Sequence, residues 1–278
     1  MSAGGPFRIA FLDGEPPEAA RRAAAQGTVE LVDRRHESDP AWVDGVVIDG
    51  PLERRSERVS GCLRDGAAVL AAAPLADDAA VHDALVRDAE AGAGRLLLAY
   101  RQRWRPEVAA VCAAVEAGEL GRTGLIRLHA WRASGPEGDA ATAALRDAVD
   151  TVLRIAGTEP DVVHAAGDGA CLLAHLGFAG GGMALLDLAT SHGGPYDSLT
   201  VIGADGAAHA EDHRNVQLLY DRRGLQGVPL RGDGELGLLR AFAAGERSGA
   251  GHERAVSAVA EAITVSRRNG EAIAVAAP

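Results

Sequence analysis

The sequence predicts an α/β protein in two parts. Residues 1–99 form a doubly wound, parallel-sheet domain, and residues 100–278 form an α+β domain with an open, mainly antiparallel sheet. Three observations carry this reading. In the first hundred residues, short apolar runs alternate with helix-length segments, the pattern of parallel βαβ units. Beyond them, apolar runs follow one another across Gly-rich turns, as antiparallel strands do. A chain of 278 residues is also long enough for two modest cores.

The elements follow in order. Phe7–Leu12 is an apolar strand, followed by a helix from Pro17 to about Gln26 and a second strand at Val29–Val32. Gly45–Ile48 is a buried β-branched run, the third strand; Glu53–Arg64 is helical and Ala67–Ala71 strand-like. Asp77 or Asp78 caps a helix running to about Ala91, and Leu96–Leu98 is the next strand. This half is Rossmann-like. Pro106 suits the first turn of a helix over Glu107–Glu116. A helix near Arg146–Ala156 accompanies strands at Gly124–Ala133, Asp161–Ala166, Ala170–Phe178, Met183–Thr190 and Ser198–Gly203. Gly180–Gly182 is a hairpin turn. Helices at Leu236–Ala244 and Glu253–Arg268, the latter stopped by Gly270, precede a closing strand at Ala272–Val275.

Composition excludes several classes. The net charge of −11 makes nucleic acid and anionic membrane surfaces poor partners. No apolar run reaches membrane-span length, and the first residues carry no basic-then-apolar leader pattern, so a cytoplasmic protein is expected. Cys62, Cys112 and Cys171 are scattered and odd in number, which gives neither a disulfide framework nor a metal motif. All 28 basic residues are arginine, so no lysine Schiff base, P-loop lysine or lysine general acid exists in this chain.

Several segments, in order, resemble the Gfo/Idh/MocA dehydrogenases, the glucose–fructose oxidoreductase and inositol dehydrogenase family. VDGVVIDGP (Val43–Pro51) resembles the third-strand segment that ends beside the nicotinamide, and GAAVLAAAPLADD (Gly66–Asp78) resembles the strand bearing Glu-Lys-Pro. LAYRQRWRP (Leu98–Pro106), EAGELGRTGLIRLHAWR (Glu116–Arg132), DAVDTVLRIAGTEPDVVHA (Asp147–Ala165) and EAITVSRRNGEAIAV (Glu261–Val275) match the later segments. The resemblance covers nearly the whole chain. It implies a homodimer or heterodimer formed through the C-terminal sheet and NAD(P) as the cofactor if any is used, although the departures described next lead to the expectation that none is.

The departures from the family fall on the chemistry. The Gly-rich turn reads Leu12-Asp-Gly-Glu-Pro-Pro17. Gly14 is its surviving glycine, Asp13 and Glu15 set carboxylates against a pyrophosphate, and two prolines remove backbone donors. Asp33 stands where an acid would hold the adenosine ribose, and Pro51 matches the nicotinamide-side proline. A plain strand-to-helix turn and a solvated charged turn remain the competing readings at these positions. The family's Glu-Lys pair falls on Ala72 and Ala73, which cannot move a proton. Its HxxD pair falls on Asp147 and Asp150, one helical turn apart. They are candidate proton acceptor and electrostatic partner, against an acid-rich helix N-terminal turn as the alternative.

His192 and Tyr196 are candidate catalytic helpers in a segment that otherwise reads as a loop. Arg101, Arg103 and Arg105 would share one face if the strand continued. Arg103, with Tyr100, is then the candidate substrate clamp, or one of the arginines serves an ion pair. His209-Ala-Glu-Asp-His213 has zinc-compatible helical spacing but strand-like surroundings, and reads as a solvated loop; no metal site is expected. Three functions remain open: a dinucleotide-independent protein binding or transforming a small polar metabolite, an NAD(P)-dependent oxidoreductase with a rewired site, and a non-catalytic partner subunit.

Overall fold

The computed structural model describes residues 5–32, 43–76, 78–92, 94–132, 139–168, 170–190, 196–211, 216–221, 224–227 and 234–275. The chain divides into two compact units, Met1–Trp104 with Gly232–Arg254, and Arg105–Arg231 with Ala255–Pro278. The return of residues 232–254 to the first unit is a feature that a boundary at residue 99 does not anticipate.

The first unit holds β1 (Phe7–Phe11), α1 (Glu18–Ala25), β2 (Val29–Leu31), β3 (Gly45–Ile48), α2 (Leu52–Arg64), β4 (Ala68–Ala71), α3 (Ala79–Ala91) and β5 (Arg95–Leu98). Among the described residues its strands form one parallel sheet in the order β2-β1-β3-β4-β5. All four β3 residues are buried, as expected of a strand covered on both faces. Asp78 caps α3, its carboxylate accepting from the amides of Ala80 and Val81.

In the second part of the chain come α4 (Pro106–Glu116), β6 (Thr123–Arg132), α5 (Asp139–Ala156), β7 (Val162–Gly167), β8 (Cys171–Phe178), β9 (Gly182–Thr190), β10 (Tyr196–Gly203), β11 (Ala207–Glu211), β12 (Val216–Asp221) and β13 (Gly224–Gly227). The chain closes with α6 (Gly234–Ala244), α7 (Ala250–Asn269) and β14 (Ile273–Ala274). Helix α6 belongs to the first unit. Its Leu236, Leu239 and Phe242 join Ile9, Phe11, Val47 and Leu97 in one core. A Cβ on Gly45 would meet the Phe242 ring at 2.7 Å, so this packing requires glycine there. Burying each large side chain of this kind contributes about 1.5–3 kcal/mol.

The second unit's sheet runs β13-β12-β11-β10-β6-β9-β8-β7-β14. It is mixed, because β6 pairs parallel with β9 while its other described pairings are antiparallel. This departs from the expectation that consecutive strands pair in sequence, since β6 is inserted between β9 and β10. Strand alternation gives the sheet two faces. Ile126, Leu128, Ala174, Leu186 and Val201 are buried on one face. Val162, Leu173, Met183 and Ile202 are exposed on the other. Helix α5 starts at Asp139 rather than near Arg146. Asp147 and Asp150 therefore lie mid-helix and not in an N-terminal turn, and a helix-dipole account of them does not hold.

Candidate functional site

A cleft of about 170 Å³ lies in the first unit at the carboxyl edge of the parallel sheet. In open α/β sheets, ligands bind at this edge, where strand order reverses about the first strand. The strands supply an apolar floor: Phe11 from β1, Val47 and Ile48 from β3, Leu70 and Ala71 from β4, with Leu238 and Leu239 from α6. The rim is acidic. Asp13, Glu15, Asp49 and Glu235 all line the cleft, and Arg101 is the basic lining residue among the described residues.

The turn after β1 is latched across the sheet. Asp13 accepts the Gly50 amide at 3.1 Å and pairs with the Arg58 guanidinium, which also donates to the Leu12 carbonyl at 3.3 Å. A Cβ on Gly50 would fall 2.4 Å from the Asp13 carboxyl carbon, so the approach depends on glycine. Arg55, buried on α2, donates to the carbonyls of Gly50 and Pro74 at 2.6 Å each. These contacts fix the loops at the cleft mouth. Arg101 is committed as well: it pairs with Asp49 at 2.8 Å and approaches Glu235 at 3.7 Å. Pro17 caps α1 without a side-chain bond, and neither Pro16 nor Pro17 has an amide to offer.

The sequence-predicted residues are distributed as follows. Gly14 adopts φ 77°, open to glycine, in the latched turn. Pro51 is the exposed residue before α2. Asp33 and His192 lie outside the described residues. Ala72, matched to the family's glutamate, lines the cleft, and Ala73 is buried beside it. Tyr100 is buried in the first unit, its hydroxyl donating to Glu253 at 2.5 Å, and it is not among the residues lining the cleft. His82, also fully buried, accepts the Leu75 amide on Nδ1, which leaves Nε2 as the protonated nitrogen in the neutral ring, 3.9 Å from Glu253.

The three arginines do not share a face. Strand β5 ends at Leu98 and a 3-10 turn spans Gln102–Trp104, so strand alternation stops before it reaches them. Arg101 goes to Asp49, Arg103 stacks over the Tyr100 ring at 5.2 Å, and Arg105 pairs with Asp197 at 2.5 Å in the second unit.

Asp147 and Asp150 sit on α5, with Asp150 fully buried. Tyr196 opens β10 beside Trp131, their rings 5.5 Å apart. Its register partner Trp131 alternates with Ala130. Ala130 shares a smaller cleft with Leu145 of α5 and Ile263 of α7, which places Tyr196 on the sheet face away from α5. The described geometry thus keeps Tyr196 apart from the two aspartates. His209 lies within β11, not a loop, with Nδ1 2.8 Å from Thr200 and Nε2 3.6 Å from Glu211; His213 is outside the described residues.

Sequence reading missed Arg58, Gly50 and Glu235. Arg58 had one usable signal, a basic residue beside the apolar stripe Leu52, Val59, Leu63 of α2. The long-range pairing with Asp13 had none.

No protein-family model and no curated protein matches the chain. Solved structures do match it in fold. Levoglucosan dehydrogenase in complex with NADH and levoglucosan superimposes with a TM-score of 0.75 at 18% identity, covering 98% of this chain and 90% of that one. An oxidoreductase domain protein from Kribbella flavida gives 0.74 at 19% identity, covering 98% and 91%. An oxidoreductase from Agrobacterium radiobacter in complex with NAD+, L-tartaric acid and magnesium gives 0.70 at 16% identity, covering 96% and 90%. At these identities the likeness shows a shared fold. No helix among the described residues is long and apolar enough to cross a membrane.

Proposed function

We propose that this chain uses the cleft of its parallel-sheet unit to bind a small, uncharged or cationic polar metabolite without a dinucleotide. The observation that carries the reading is the latched Asp13, a carboxylate held by Gly50 and Arg58 in the turn after β1. In a dinucleotide site this turn offers backbone N–H groups to a pyrophosphate. Here it offers two carboxylates and two prolines, and the cleft's arginine is already paired with acids. A pyrophosphate does not fit this donor set. A hydroxyl or ammonium group does, because carboxylates accept from both. The apolar floor suits the carbon skeleton of such a ligand. With alanines at 72 and 73, no acid or base projects from the end of β4.

The test is titration of the protein with NADH and NADPH, followed by nicotinamide fluorescence and calorimetry. Negligible binding of both, with thermal stabilisation by a polyol or amino-sugar panel, supports the reading. Micromolar binding of either dinucleotide overturns it and favours a rewired oxidoreductase.

A second observation bears on partners. Val162, Leu173, Met183 and Ile202 stand 42–50% exposed on one face of the second unit's sheet. Apolar side chains gathered on one face favour association. We therefore propose that a second copy of the chain, or a related subunit, covers this face.

A further inference from the structure

One row of side chains crosses the open face in register: His164 on β7, His175 on β8, Leu185 on β9, Arg127 on β6, Thr200 on β10 and His209 on β11. Its first two members are histidines placed directly opposite each other on antiparallel strands. Both are exposed, and both alternate with fully buried neighbours, Val163 and Ala165 on one strand, Ala174 and Leu176 on the other. The two imidazoles therefore stand on the same side of the sheet. Two other strand histidines on this face have polar partners: His129 meets Asp187 at 2.9 Å and His209 meets Thr200 at 2.8 Å. His164 and His175 make no hydrogen bond or ion pair among the described residues.

We infer that His164 and His175 form a two-imidazole chelate for a divalent late transition ion, Cu2+, Ni2+ or Zn2+. Directly opposed residues on antiparallel strands have Cβ atoms about 4.5–5.5 Å apart. Metal–imidazole bonds are about 2.0–2.1 Å, so two nitrogens on one ion lie roughly 3 Å apart. Opposed imidazoles reach that separation by leaning toward each other, with no backbone movement. Among the described residues no set of three or more ligand side chains is grouped for a metal, so water completes the coordination. The neighbouring acid Asp187, on β9, is engaged by His129. Arg127 is two strands from His175 in the row, at about 10 Å, close to the screening length of physiological salt. It therefore opposes a dication weakly. Neutral imidazoles without a carboxylate select Cu2+, Ni2+ and Zn2+ over Mg2+ and Ca2+. Both ligands come from one chain and the chelate does not depend on the cleft. Because the histidines share the open face with Val162 and Leu173, the oligomeric state is measured alongside the titration, and a dimer that binds no ion overturns the assignment.

The experiment uses the full, untagged chain. Ni2+ and Zn2+ are titrated by calorimetry, and Cu2+ is followed by electron paramagnetic resonance. The expected result is one ion per chain at the tightest site. Affinity at that site falls at least about tenfold in His164→Ala and in His175→Ala alike. It is unchanged in His209→Ala, and Mg2+ does not compete. The Cu2+ spectrum shows two bonded nitrogens in the parent and one in each variant. His175→Gln, which keeps a polar side chain of similar size, serves if an alanine variant loses its melting transition. Variants that bind as tightly as the parent, half an ion per chain, or a one-nitrogen parent spectrum overturn the assignment.

Discussion

Restoring glycine in the turn after β1 tests the charge argument directly. The perturbation is Asp13→Gly with Glu15→Gly, singly and together. At about 6 Å and an effective dielectric constant of about 40, one carboxylate and one phosphate charge repel by roughly 1.4 kcal/mol. That corresponds to about tenfold in affinity. Removing Asp13 also releases Arg58 from its ion pair, so its effect should be the larger of the two. The double variant is expected to bind NADH up to ~100-fold more tightly than the parent, an upper bound because the sites are close enough to couple. Asp13→Gly forfeits charge-assisted bonds to Gly50 and Arg58 and should lower stability by about 1.5–3 kcal/mol. Calorimetry and nicotinamide fluorescence read the affinity, and melting temperature reads the stability. A folded double variant with unchanged NADH affinity would refute the electrostatic reasoning.

Other consequences are open to measurement. If the open face is a subunit contact, the chain is a dimer by light scattering at micromolar concentration, and Leu173→Glu with Ile202→Glu yields monomer; a monomeric parent contradicts the proposal. Tyr100→Phe leaves the Glu253 carboxylate short of a buried donor and should cost about 1–3 kcal/mol, read as a lower melting temperature, with ligand binding in the cleft retained. Asp150→Asn, at a fully buried site, should destabilise by a similar ~1–3 kcal/mol, while partly exposed Asp147→Asn changes stability little. If Asp147 accepts a proton in a reaction, Asp147→Asn instead lowers turnover by ~10²–10⁴-fold at unchanged melting temperature. Burial pushes the Cys62 and Cys112 thiols up. Their stabilising contribution is full below the unfolded thiol pKa of about 8.5 and is lost as pH rises toward the folded values. Slow labelling by a thiol reagent at neutral pH, accelerating on unfolding, is the expected result.

What the sequence reveals and what it hides divides by the range of the interaction. Gly45–Ile48, the Asp78 cap, Pro106 at the start of α4 and Gly270 after α7 are local signals, and each appears in the structure where it was read. The early turns of α5 were missed because Ala-rich residues 140–144 carry no apolar stripe against which to set a period. The parallel pairing of β6 with β9 was missed because it is a choice of partner, which no single strand encodes. The dispersal of the three arginines is hidden for a related reason: strand alternation ends at Leu98, and nothing local in the sequence marks the backbone turn that follows.

The cleft combines both kinds of information. Its acidic turn is local and legible at Asp13 and Glu15. The partners that hold it, Gly50 and Arg58, lie 37 and 45 residues away and emerge only with the fold. That difference decides how the turn is to be understood. A carboxylate facing solvent could swing aside for an anionic ligand. One tied to a backbone amide and a guanidinium must first lose those bonds, so on the proposed reading its opposition to a pyrophosphate lies in the loop geometry. The overall fold places no such demand, since the same strands and helices can carry either a glycine turn or an acidic one.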